Sequence, residues 1–142
     1  MIKLDSDSKI CLSIGVVGSS TYKDNDLVLA WLDRIHKELG PFDKLITGGV
    51  GSVDTVAEKW ASFNKIEKKI YYADWKTHGK KAVYIRNIFI VENSDLVITF
   101  WDGDSKGTAH AIRITRVGNK PLLVINNNGG INEFLSTIKL SD

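Results

Sequence analysis

Cysteine is almost absent from this chain of 142 residues. Cys11 stands alone, so no internal disulfide can form, and its place in an apolar run points to a buried thiol without chemistry of its own. Charge of one sign is lacking too: 19 Lys and Arg stand against 17 Asp and Glu, a net +2. That balance is too mild to argue for a nucleic-acid partner, and no basic stripe interleaved with aromatics is read, so neither DNA nor RNA is expected as a partner. No apolar stretch approaches membrane-spanning length, and Met-Ile-Lys-Leu-Asp does not open a secretory signal; a soluble cytoplasmic protein with no membrane partner is expected. The three histidines, His36, His78 and His110, lack metal-ligand spacing, and no metal site is assigned. Linkers, low-complexity tracts and internal repeats are missing, which leaves residues 1–142 as one domain.

What is present is alternation. Hydrophobic residues make up 43% and charged ones 25%, near the globular average. After a polar lead-in, Ile10–Val17 reads as a first strand, and Asp24 or Asn25 can cap a helix with Leu27, Ala30, Trp31, Ile35 and Leu39 on one face. Gly40-Pro41 stops it. Lys44–Thr47 is a second strand, followed by a helix whose inner face is Val53, Val56, Ala57, Trp60 and Ala61. Ile66–Ala73 supplies a third strand, and Lys80 to Asn93 a helix held by Val83, Ile85, Ile88, Phe89 and Val91. Leu96 to Trp101 reads as an apolar run with Thr99 its one polar residue, the mark of a strand buried on both faces. Pro121–Ile125 reads as a fifth strand, and Ile131–Leu140 as a short closing helix. Five such alternations give an α/β fold, a Rossmann-like three-layer sandwich with a central, mostly parallel sheet of about five strands.

The densest chemistry lies in Asp95–Ala111, where the central strand runs into a turn with Gly103 and Gly107 and Thr108 opens a helical pattern through Ile112 and Arg116. A strand, a glycine turn and a helix start aim several amide N–H groups at one spot, an arrangement suited to phosphate. Two more small-residue corners follow strands one and two, Gly18–Thr21 and Gly48–Ser52. Ligands of parallel sheets bind beyond the carboxyl ends of the strands, so the three corners are expected to converge. The corners fit neither common phosphate motif. GxGxxG is absent after the first strand, and Lys106-Gly107-Thr108 inverts the Gly-Lys-Ser/Thr order of a Walker A loop.

Four pieces taken together resemble the SLOG superfamily, in particular its small DUF2493 or YspA-like branch, related to LOG and Smf/DprA proteins. They are Val17-Gly18-Ser19-Ser20; Gly48 through Asp54 leading into Ala57-Glu58-Lys59-Trp60-Ala61; Ala73-Asp74-Trp75 with Gly79-Lys80 and Ile85-Arg86-Asn87; and Ser105 through Ala109. The resemblance spans about Ile14 to Ile125 and implies a Rossmann-like fold that binds nucleotides or their derivatives, often as a homodimer. Two departures stand out. Ser52, preceded by Gly51, occupies the place of the family's glycine two before its aspartate, and Ala82-Val83-Tyr84 replaces Ala-Gly-Pro, with a tyrosine able to close the pocket or stack on a base.

The resemblance and the corners name the candidate ligand contacts. Gly18, Ser19, Ser20, Gly48, Gly49, Val50, Gly51, Gly103, Ser105, Lys106 and Gly107 would present backbone or small polar groups, and Thr108 a hydroxyl that could equally cap its helix. Asp54 is either a sugar-hydroxyl acceptor or a partner of its helix dipole. Arg86 suits bidentate phosphate recognition or a surface ion pair with Asp95 or Glu92, beside a weaker Asn87. Trp75 stacks on a base or belongs to the core. The sequence names no cofactor of its own; Mg2+ would enter only with a nucleotide's phosphates. The expected function is therefore binding of a nucleotide-derived ligand as sensor, sponge or carrier. LOG-like cleavage of a nucleoside monophosphate is the alternative, but Ala111 replaces the glutamate of the LOG motif, and alanine cannot stabilise a cationic sugar. Asp102 or Asp104 would have to substitute. An interaction module with a vestigial pocket is the third reading.

Overall fold

The computed structural model describes residues 12–135. Cys11, the polar lead-in and the chain beyond Leu135 lie outside the described residues.

The strands are β1 (Ser13–Gly18), β2 (Lys44–Thr47), β3 (Glu67–Ile70), β4 (Leu96–Phe100), β5 (Leu122–Ile125) and β6 (Ile131–Leu135). They form one sheet in the order β3-β2-β1-β4-β5-β6. The first five are mutually parallel, and β6 runs antiparallel to β5. β1 and β4 form the centre of the sheet, paired from Ile14 opposite Leu96 to Gly18 opposite Phe100. The chain leaves β1 towards β2 on one side and reaches β4 on the other, so a crevice opens between their carboxyl ends.

Helices α1 (Asn25–Leu39) and α2 (Gly51–Phe63) cover one face of the sheet, while α4 (Ala82–Glu92) and α5 (Lys106–Val117) cover the other. β1 shows the division residue by residue. Ile14 and Val16 join the core of Trp31, Leu32, Ile35, Ala57 and Trp60, while Val17 packs with Ile90 and Ala111. Asp24 caps α1 by accepting from the N–H groups of Asp26 and Leu27. The buried face of α1 is Val28, Trp31, Leu32, Ile35 and Leu39; Ala30 is exposed, which shifts the expected stripe by part of a turn.

Three elements differ from expectation. β3 stops at Ile70 rather than Ala73, because it is an edge strand with Glu67, Lys68 and Lys69 exposed and only β2 to hold it. Before α4 the chain makes the short helix α3 (Trp75–His78) and a 3-10 turn (Gly79–Lys81), and α4 buries Ala82, Asn87, Ile90 and Val91 while Ile88 and Phe89 face outward. The closing helix expected from Ile131 is strand β6 over Ile131–Leu135, with the remainder outside the described residues. The Asn-Asn-Asn-Gly-Gly turn folds it back onto β5, with Gly129 at φ +81°.

Candidate functional site

The carboxyl ends of β1, β2 and β4 enclose a cavity of about 240 Å³. Ten of the sixteen residues singled out in the sequence line it. Gly18 and Ser20 come from the first corner; Gly48, Val50 and Asp54 from the second; Arg86 and Asn87 from α4; Ser105, Gly107 and Thr108 from the start of α5. Val16, Val17, Val83 and Ile90 complete the wall and were not named as contacts, because an apolar side chain offers no polar group that marks it as one, even where, like Val17, it opens a motif.

The start of α5 is a cluster of hydroxyls. The helix begins at Lys106 with Ser105 as its cap, accepting from the Thr108 N–H at 3.3 Å, so Thr108 sits inside the first turn rather than at the cap. Thr108 Oγ1 lies 3.2 Å from Ser105 Oγ and accepts a hydrogen bond from Ser19 Oγ at 3.4 Å. Ser19 is itself buried and accepts from the Asp102 N–H, so it supports the wall from behind instead of facing the cavity. Asp102 organises the turn. It accepts from the Thr21 hydroxyl and from the N–H groups of Asp104 and Ser105, and the Thr21 bond above all holds its carboxyl down at about 2. Neither Asp102 nor Asp104 lines the cavity.

Across the cavity stand two opposite charges. Arg86 donates from Nη1 to the Gly48 carbonyl at 2.9 Å and from Nε to Asn87 Oδ1 at 3.1 Å, so it is not spent on Asp95 or Glu92. The guanidinium occupies the space a side chain at position 48 would need: a Cβ there would lie 2.1 Å from Nη1. Burial lowers the Arg86 pKa and the Asp54 carboxylate partly restores it. Asn87 donates to the Gly107 carbonyl at 2.9 Å and thereby pins α4 to the start of α5. Asp54 is only 5% exposed; its Oδ2 accepts from the Val50 N–H at 3.1 Å, while buried Oδ1 has no partner among the described residues. Burial pushes its pKa up to about 7, against the opposing pull of the Val50 N–H and of Arg86.

The other six residues stand apart from the lining. Gly49 and Gly51 shape the second corner at φ +68° and +84°, angles that an L side chain rarely adopts. Gly103 and Lys106 are exposed on the third corner. Trp75, 59% exposed at the start of α3, is neither core nor cavity wall. Tyr84 turns away as well: Val83 faces the cavity, and the Tyr84 ring packs on His110 with centroids 4.6 Å apart. Among the described residues no three His, Cys, Asp or Glu side chains gather as a metal site. No helix of the described chain is long and apolar enough to cross a membrane.

Comparison with known proteins identifies the family. The YspA, cpYpsA-related SLOG family (YAcAr) matches residues 13–78. The Gene 61 protein of Mycobacterium phage D29 is 32% identical over 117 residues, covering 76% of this chain and 91% of the phage protein. The chain belongs to the YspA, cpYpsA-related SLOG family. Two solved structures share the fold of this SLOG chain. TM1055 superposes with a TM-score of 0.61 at 19% identity, over 79% of this chain and 72% of that one. DNA processing protein A from Helicobacter pylori, described for its single-stranded DNA binding mode, also gives 0.61, at 18% identity, over 80% of this chain and 65% of its own. That second neighbour overturns the expectation that DNA is excluded as a partner. A net charge averaged over a whole chain does not exclude a nucleic acid from this fold.

Proposed function

We propose that the SLOG cavity binds a nucleotide or nucleotide-derived ligand, held by a phosphate at the start of α5 and Arg86 and by a sugar hydroxyl at Asp54. The observation that carries this reading is the buried Asp54 Oδ1, unpartnered in a cavity it shares with Arg86. A carboxylate oxygen without a donor costs free energy until something supplies one. A ligand that supplies one here must also satisfy a guanidinium and the free amide N–H groups of the first turn of α5. A phosphorylated sugar brings both kinds of group in one molecule. Of the six residues outside the lining, Ser19, Gly49 and Gly51 act on the shape of the corners rather than on the ligand.

Binding without cleavage fits the site better than hydrolysis. Ala111, at the place of the LOG glutamate, is fully buried against Val17, Ile46 and Ile90, and neither Asp102 nor Asp104 lines the cavity. The test is a thermal-shift panel of nucleoside mono- and diphosphates, cyclic and ADP-ribose-type nucleotides and ribose 5-phosphate, with and without Mg2+. A ligand at about 100 times its Kd adds about 2.7 kcal/mol to stability and must raise Tm. Adenosine monophosphate incubated with the protein should yield no free adenine. Arg86→Ala should remove the shift and lower the Tm of the free protein, since the Gly48 and Asn87 bonds go with it. Flat melting curves across the whole panel would overturn the reading.

A further inference from the structure

A second cavity, of about 280 Å³, lies on the α4 side of the β3 edge, and Arg86 forms part of its wall as well as of the first. Its floor and rim are rings: Tyr71 stacks on Phe89 at 5.8 Å between centroids, and Tyr72 lies over Gly49, where a Cβ would come 2.6 Å from its edge. Tyr72 is 68% exposed and Phe89 47%, a heavy outlay of aromatic surface for a chain of this size. The surroundings are cationic. Residues 65–86 hold seven Lys and Arg against two Asp and Glu, while the other 120 residues hold twelve against fifteen. Lys69 Nζ sits 5.2 Å from the centre of the Tyr71 ring, and Lys76, Lys80 and Lys81 are exposed on the turns whose Asp74 and His78 line the cavity. Asp74, the one carboxylate in that lining, is engaged as the α3 cap with the Thr77 N–H at 3.0 Å.

We propose that this face, built from β3, residues 75–81 and α4, binds a single-stranded nucleic acid, with bases stacking on Tyr72 and the Tyr71–Phe89 pair and phosphates paired by Lys69, Lys76, Lys80 and Lys81. Exposed rings set among cations are the pattern that holds unpaired strands without regard to sequence. Duplex fits poorly, because its bases are already stacked on one another and the face offers no projecting helix for a groove. A second copy of this chain fits poorly too: a two-fold interface sets each patch against itself, here five net positive charges against five.

The test is fluorescence anisotropy with a labelled oligothymidylate of about twenty nucleotides, beside its duplex and vesicles of anionic phospholipid. The strand should bind more tightly than either, with an affinity that falls steeply with salt, by a log–log slope of about −0.7 for each phosphate paired. Tyr72→Ala should weaken binding about tenfold or more. The combined Lys76→Glu, Lys80→Glu and Lys81→Glu variant should weaken it further and flatten the slope, and both variants should keep the wild-type melting profile. Oligouridylate decides whether RNA serves as well as DNA, and binding of either strand supports the proposal. No binding of either strand at low salt, equal binding of duplex or vesicles, or variants that bind as wild type would overturn it. The mononucleotide panel tests the first cavity independently, so either reading can fail alone.

Discussion

Asp54 combines a structural cost with a chemical opportunity. Its pKa of about 7 in the folded protein stands against an ordinary value of 3.8, so between those values the folded chain keeps a proton that the unfolded chain has lost. A group shifted in this direction contributes most at acid pH, and its contribution falls as the pH rises towards 7. The full swing is at most about 4 kcal/mol, given about 1.4 kcal/mol per pH unit. Asp102, whose pKa is lowered, works in the opposite sense and loses its contribution only as the pH falls towards about 2. Asp54→Asn isolates the first effect. The variant should melt close to wild type at about pH 3.5 and above it at about pH 8, the gap widening in between. Parallel Tm curves across that range would show that the carboxylate reaches water and is not the buried acceptor described above.

At the scale of elements, the start of α5 couples folding to binding. Ser105 caps the helix, and replacing such a residue with alanine costs about 1 kcal/mol. Aspartate caps equally well but sets a carboxylate at the mouth of the cavity. Ser105→Ala should therefore lose about 1 kcal/mol in urea denaturation, whereas Ser105→Asp should keep its stability and lose the nucleotide-induced rise in Tm. Equal ligand response in Ser105→Asp and wild type would place the phosphate elsewhere. The elements most legible in the sequence were those with one dominant local cause. Leu96 to Phe100 is apolar but for the buried Thr99 and is covered on both faces, and Asp24 announces α1 through its cap. β6 was misread because Ile131 and Leu135 stand four apart and mimic a helical stripe; the pairing with β5 that makes them strand is not local. The Asn128-Gly129 step was the available hairpin signal. The lysines and rings of residues 68–84 were equally visible, but the whole-chain charge averaged them away; only the fold shows Tyr72, Phe89 and Arg86 around one cavity.

The molecule as a whole has a strong centre and a weak margin, and the two proposed ligand sites lie one at each. β4 is buried at every residue and β1 at its four middle ones, with strands on both sides, while β3 is an exposed edge held by β2 alone. Local opening follows burial and the number of bonds that must break, so amides are expected to differ in exchange by orders of magnitude across one sheet. Residues 14–17 and 96–100 should exchange only through global unfolding, and residues 67–70 by local opening at much lower free energy. A bound nucleotide should slow the amides of residues 48–54 and 106–109 and leave 67–70 unchanged, because only the first two segments meet in the phosphate cavity. A bound oligonucleotide should instead slow residues 67–78. Native-state hydrogen exchange with each ligand in turn reads both outcomes in one experiment. Protection of the same segments by both ligands would mean that the two cavities act as one continuous groove.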